Sequence, residues 1–296
     1  MIRVLLLIAA ALLLACAPST NSISIQHDVV LNQNNDSISI LAPFTRTTIK
    51  QQLLQKIKNN QPLIIHAFVP LCDNDNQGIV PVNKALGDGD NLTTNLYWGA
   101  LYGVKTHFSR KKRWTKAYDQ KHNDSFLLER VVFKRTYSNG AKVIFITDAY
   151  NGNAMEKCLN HYLQSLSGMR SDSIQLDSSW IEISKQADLV VFNGHNGLMD
   201  VEVPISTSTL TKKKDAIAIA CISKPYFKDY LIQSQGYPLL MTKHLLAPEA
   251  YVLSAIIDAW ALQKPEQEVW LAAATAYNQY QKCGIKGAKN LFSTGW

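Results

Sequence analysis

Two near-continuous apolar runs, at residues 188–194 and 215–220, constrain the fold of this chain more than any other feature. The first, Asp188-Leu189-Val190-Val191-Phe192-Asn193-Gly194, stops at His195-Asn196-Gly197. The second, Asp215-Ala216-Ile217-Ala218-Ile219-Ala220, stops at Cys221, with Ser223 and Lys224 close behind. Neither alternates with polar residues, so neither suits a strand with one wet face. Runs of this kind are strands covered on both sides, as in a parallel sheet between helices. Ligands and catalytic groups collect at the carboxyl ends of such strands. If the two are neighbours, an imidazole and a thiol share one rim.

The rest of the chain supplies what builds that sheet. Residues 63–69 form a third buried run, ended by Pro70, and residues 142–147 a fourth, ending at Asp148. Residues 126–137 alternate and carry Arg130, Lys134 and Arg135, which predicts a half-exposed strand paired with 142–147 through Ser138-Asn139-Gly140. A fifth core strand is expected at 236–242, ending near His244. Helices are expected over 49–57, 96–103, 154–166 with Gly168 as its stop, 180–186, 225–235, 248–262 and 266–282, the last opened by Pro265. Between His195 and Cys221, 26 residues apart, the chain has to cross back over the sheet, with a short helix expected at 206–210. This alternation predicts an α/β fold, a mainly parallel sheet flanked by helices, in a single domain at 40–296. A hydrophobic content of 47% supports a large core and excludes a disordered chain.

Residues 1–15 stand outside that domain. Arg3 precedes an apolar run at 4–14 that is too short for a permanent span, the pattern of a signal peptide. The end of the run, Leu13-Leu14-Ala15-Cys16, resembles the bacterial lipobox, and the resemblance implies cleavage before Cys16 and lipidation of that cysteine. Ala17, by similarity to sorted lipoproteins, implies the outer membrane. Residues 16–39, rich in Asn, Ser and Gln, are expected to tether the domain. The expected location is the cell envelope, with a lipid anchor in the membrane and the domain in the periplasm or at the cell surface.

The net charge of +7 does not point to nucleic acid. Its basic runs, at 110–113 and 212–214, are short and far apart, which suits a solvated face or attraction to anionic lipid or polysaccharide. The acids of the loop at 72–91 lack the spacing and terminal Glu of an EF-hand, so no metal is expected, and no cofactor motif occurs. Besides Cys16 the chain has Cys72, Cys158, Cys221 and Cys283, whose wide spacing does not suit zinc. An oxidising compartment permits disulfides among them in three complete pairings, and one through Cys221 would remove it as a nucleophile.

On this layout one rim receives Cys72 and Asp73, Asp148 and Asn151, His195 and Asp200, Cys221 with Ser223 and Lys224, and His244 with Glu249. His195 and Cys221 are the candidate catalytic pair. Asp73, Asp148, Ser223, Lys224 and Glu249 are candidate substrate-binding groups. A free thiol is mostly protonated at neutral pH and needs a base or a cation beside it, which His195 supplies. The backbone N–H of Gly194 or Gly197 is placed to bind an oxyanion. An apolar strand ending in His and Gly, followed by one ending in Ala-Cys, resembles the clan CD cysteine peptidases, the caspase, gingipain, legumain and clostripain group. The resemblance implies a caspase-like sheet, His195 as the catalytic histidine, Cys221 as the nucleophile and Gly197 as the oxyanion glycine. Separately, the stretches at 77–82, 95–99 and 247–251 resemble a bacterial lipoprotein family, a resemblance that implies no activity. The expected function is therefore an envelope lipoprotein with a Cys-His hydrolase site acting on a peptide or protein. The alternatives are a non-catalytic binding lipoprotein on the same fold, favoured by Asn196 between His195 and Gly197, and an acyl transferase using the same pair.

Overall fold

In the computed structural model, residues 42–122, 124–207 and 212–296 are described. The expected signal peptide, Cys16 and the expected tether lie outside these residues. Among the described residues ten strands form: β1 (Leu63–Pro70), β2 (Thr115–Lys121), β3 (Leu127–Thr136), β4 (Lys142–Tyr150), β5 (Ser173–Leu176), β6 (Ser179–Glu182), β7 (Leu189–Asn193), β8 (Lys214–Ile219), β9 (Gly236–Thr242) and β10 (Phe292–Ser293). Eight of them make one sheet in the order β10-β9-β8-β7-β1-β4-β3-β2. Strands β4, β1, β7, β8 and β9 run parallel at its centre, and β2, β3 and β10 add antiparallel edges. From β1 the chain runs to the edge at β2 and returns through β3 to β4, and then passes to β7, β8 and β9 on the other side, so among the parallel strands the order reverses between β1 and β7. Crevices for ligands open at the carboxyl ends of strands where such a reversal occurs.

The uninterrupted apolar runs are explained by the two faces they fill. Every residue of β1, β7 and β8 is buried. Leu63, Ile65, Val191, Ile217 and Ile219 pack on a layer made by α1 (Thr47–Lys58), α2 (Val104–Ser109), α5 (Ala250–Ala261), α6 (Glu266–Gln281) and α7 (Ile285–Leu291). Ile64, Phe68, Val190, Phe192 and Ala218 face α3 (Met155–Ser167), α4 (Ser223–Ser234) and the separate β5–β6 hairpin. The α/β architecture read from the sequence is the one observed.

Three local expectations are corrected. Residues 180–186 are not a helix, because 179–182 is β6, paired with β5 through Leu176 and Ser179. The tight turn rests on Asp177 at φ 55°, a left-handed conformation that Asp tolerates. Residues 96–103 form turns, and the helix follows at Val104. The third correction bears on the rim. Strand β4 does not stop at Asp148 but continues to Tyr150, because it is paired on both sides, Pro70 with Tyr150 and Leu127 with Tyr150. Of the helix expected at 206–210, residues 208–210 lie outside the described residues, and 201–207 are not helical.

Candidate functional site

Strands β7 and β8 are adjacent and parallel, with Asn193 opposite Ile219 as their last pair. His195 and Cys221 each lie two residues beyond that pair, so the chain delivers both to the same rim. Two hydrogen bonds fasten the loops there. The Gly194 N–H donates to the Ile219 carbonyl at 3.1 Å, and Asn196 Nδ2 donates to the Cys221 carbonyl at 2.7 Å. Asn196 is thus the cross-link between the two candidate residues.

His195 is 5% exposed, and its Nε2 lies 2.5 Å from Asp200 Oδ2. One 3-10 turn, Gly197–Met199, folds the chain back so that a carboxylate five residues on reaches the ring. A carboxylate on one ring nitrogen sets the tautomer and leaves the other nitrogen for proton transfer. The sequence placed Asp200 on the rim without a role. A turn of this kind leaves no periodic pattern that would have assigned one.

Cys221 is half-buried, and its thiol donates to the Leu246 carbonyl at 3.5 Å. Burial pushes the thiol pKa up, and backbone contacts from Leu246 and from Cys221 itself offset this only in part. The next residue, Ile222, has φ 50° and turns the chain from the sheet into α4. A β-branched residue in the left-handed region costs on the order of 1–2 kcal/mol, and strain of this sort gathers at functional sites. Around the thiol, on the α5 side, sit further buried polar groups. The Tyr97 phenol is pushed up by burial and by Cys72, Cys221 and Glu249 nearby. Glu249 is 8% exposed and accepts from Gln281 Nε2 at 3.0 Å, and burial raises its carboxyl. Cys72 is held through its backbone by Asn95, and burial lifts its thiol to about 11.

The other residues singled out from the sequence are placed as follows. Asp148 is fully buried inside the sheet. Both Arg130 Nε and Nη2 donate to it at 2.7 Å, and His66 Nε2 lies 2.9 Å from it. It is a core ion-pair partner because β4 runs on beyond it to Tyr150 and leaves it inside the sheet. Ser223 Oγ is buried, donates to the Ala218 carbonyl at 2.7 Å and meets Thr242 Oγ1 at 3.0 Å, so it splices α4 to β8 and β9. Asp73 spends its carboxylate on the Asp75 and Asn76 amides and on Asn76 Nδ2, ordering its own loop. Lys224 is half-buried in the first turn of α4, with no ion-pair partner among the described residues. The Gly197 N–H donates to the His195 carbonyl at 3.0 Å, so neither it nor the Gly194 amide is free to receive an oxyanion here. A Cβ at Gly197 would lie 2.1 Å from Met155 Cγ, which makes close packing on α3 the reason for glycine.

Comparison with known protein families, with curated proteins and with solved structures finds no match.

Among the described residues no three His, Cys, Asp or Glu side chains converge as a metal site. Cys72, Cys158, Cys221 and Cys283 are free thiols. What the rim holds is an oriented imidazole and a thiol on adjacent strand ends. The thiol is protonated and turned toward Leu246.

Proposed function

We propose that the β7–β8 rim is a thiol hydrolase site of the clan CD kind, cleaving a peptide or other amide bond. The observation that carries this reading is the Asp200–His195 pair on one strand end beside Cys221 on the next. In the reaction, rotation about χ1 of Cys221 releases the thiol from Leu246. The imidazole nitrogen not held by Asp200 takes the thiol proton, and the sulfur attacks the carbonyl carbon. The C–N bond then breaks as the imidazolium protonates the leaving amine, and water hydrolyses the thioester. The raised thiol pKa makes the resting enzyme unreactive until substrate reorganises the rim.

A second reading, a non-catalytic binding lipoprotein, is favoured by the thiol's bond to Leu246 and by the occupied Gly194 and Gly197 amides. A peptidyl thiol-reactive probe separates the two. Hydrolase chemistry requires labelling of the wild type that Cys221→Ala and His195→Ala abolish, with Asp200→Asn slowing it by about 10²-fold or more. Labelling that persists in Cys221→Ala, or a wild type that is never labelled, rules it out. For the envelope assignment, Cys16→Ser should abolish fatty-acid incorporation and release the chain from the membrane fraction. Among the described residues no helix is long and apolar enough to cross a membrane.

A further inference from the structure

The amino ends of the central strands, opposite the His195–Cys221 rim, carry a shallow groove of about 440 Å³. That size falls within the roughly 300–1,000 Å³ of small-ligand sites. Trp180 on β6 forms part of its wall and is 72% exposed. The other five tryptophans are buried or half-buried. Strand alternation holds the indole outside: Ile174 and Leu176 of the hairpin point into the core, while Trp180 pairs with the exposed Gln175 on the opposite face. The indole cannot be buried without slipping the hairpin register and exposing those core residues.

The charges that line the groove are already satisfied from within. Lys56 Nζ lies 2.5 Å from Asp188, which Lys212 also approaches at 3.0 Å. The Glu182 carboxylate accepts from the amides of Asp172, Ser184, Lys185 and Gln186 at 2.5–3.2 Å. Left to face a ligand are the side-chain amides of Gln61 and Gln186 and the Ser173 hydroxyl, which are exposed and unpartnered among the described residues, and the indole plane. Each amide donates and accepts, as a sugar hydroxyl does. An anionic ligand would find no uncommitted cation among the described residues that line the groove. A purely apolar ligand would cover the amides and leave them without partners.

We propose that this groove binds a neutral saccharide, with one pyranose face stacked on Trp180 and ring hydroxyls bonded to Gln61 and Gln186. The site is independent of the thiol chemistry and leaves the opposite rim open. The test is calorimetric titration of the full chain with cellotetraose and with the N-acetylglucosamine tetramer. A sulfated tetrasaccharide and an aromatic tripeptide serve as comparators. At least one neutral tetramer is expected to bind, with a shift in tryptophan fluorescence. Trp180→Ala should weaken that binding by at least about tenfold. Gln61→Ala, outside the hairpin, should weaken it as well with unchanged thermal stability, and Cys221→Ala should bind like the wild type. The proposal is overturned if neither neutral tetramer binds, if Trp180→Ala and Gln61→Ala bind as the wild type does, or if the sulfated sugar or the peptide binds more tightly.

Discussion

Replacing Lys214 by Met should remove a pH dependence from the folding stability of this protein. Lys214 opens β8, is fully buried, and directs Nζ at the backbone carbonyls of Ser165 and Ser184. Two acceptors match the two N–H groups of a neutral amine. Burial, helped by the neighbouring Lys212, lowers its pKa to about 7. In the unfolded chain the value is about 10.4. Between these limits the unfolded state holds a proton that the native state lacks, so stability rises with pH by up to about 1.4 kcal/mol per unit. From pH 7 to pH 9 the wild type should therefore gain about 2–3 kcal/mol relative to Lys214→Met. Below about pH 6 the two curves should run parallel. The absolute offset is less telling, because the variant sheds a desolvation cost while leaving two carbonyls unmet at about 1–3 kcal/mol each. Urea unfolding at pH 6, 7, 8 and 9, with a constant m-value, measures the difference. Taking the difference also cancels buried thiols such as Cys158, whose raised pKa lowers stability as pH rises past about 8.5 in both proteins. A difference curve flat from pH 6 to pH 9 would show that Lys214 keeps its charge in the fold and refute the argument.

Other consequences are open to direct measurement. Asp148→Ala removes one of two carboxylates from the Arg130 guanidinium, only 5% exposed, leaving it Asp172 at 2.7 Å, and takes the partner from buried His66; it should cost up to about 3–5 kcal/mol, lowering Tm by up to about 6–20 °C. Burial alone would raise the Asp148 carboxyl, but Arg130 outweighs it and holds it far below the usual range, so its stabilisation is present above about pH 4 and fades below. Acid unfolding of Asp148→Asn should accordingly have a shallower limb than the wild type; matching limbs would contradict this. Gly197→Ala should lose about 1–3 kcal/mol through the clash with Met155, and adding Met155→Ala should recover part of it, a coupling that a double-mutant cycle reads directly. Under native conditions a small thiol reagent should modify Cys283 first and Cys221 slowly, while buried Cys72 and Cys158 react only on unfolding. Early modification of Cys158 would be inconsistent with this packing.

The sequence by itself determined the class of fold, and it placed two residues on one rim only on the condition, met in the tertiary structure, that their strands are neighbours. Runs such as 188–194 and 215–220 can only be satisfied between two apolar layers, and residues that follow neighbouring parallel strands at equal distance emerge side by side. Periodicity also located α3, α5 and α6 to within a few residues. It failed at 180–186, where a short apolar pattern fits helix and strand alike and the partner strand decided. Tertiary structure alone determined what each polar side chain does. Asp148 reads as a strand end, yet pairing on both sides of β4 carries it inside, where Arg130 and His66 consume it. Asp200 acquires a role only because a single turn returns it to His195, and Cys221 meets Leu246 only because the chain beyond β9 is packed against the end of β8, where the Ile222 amide also donates to His244. Burial patterns are written along the chain because each strand repeats them residue by residue. Hydrogen-bond partners tens of residues apart are written nowhere in it, since they depend on which backbone groups packing has already brought together.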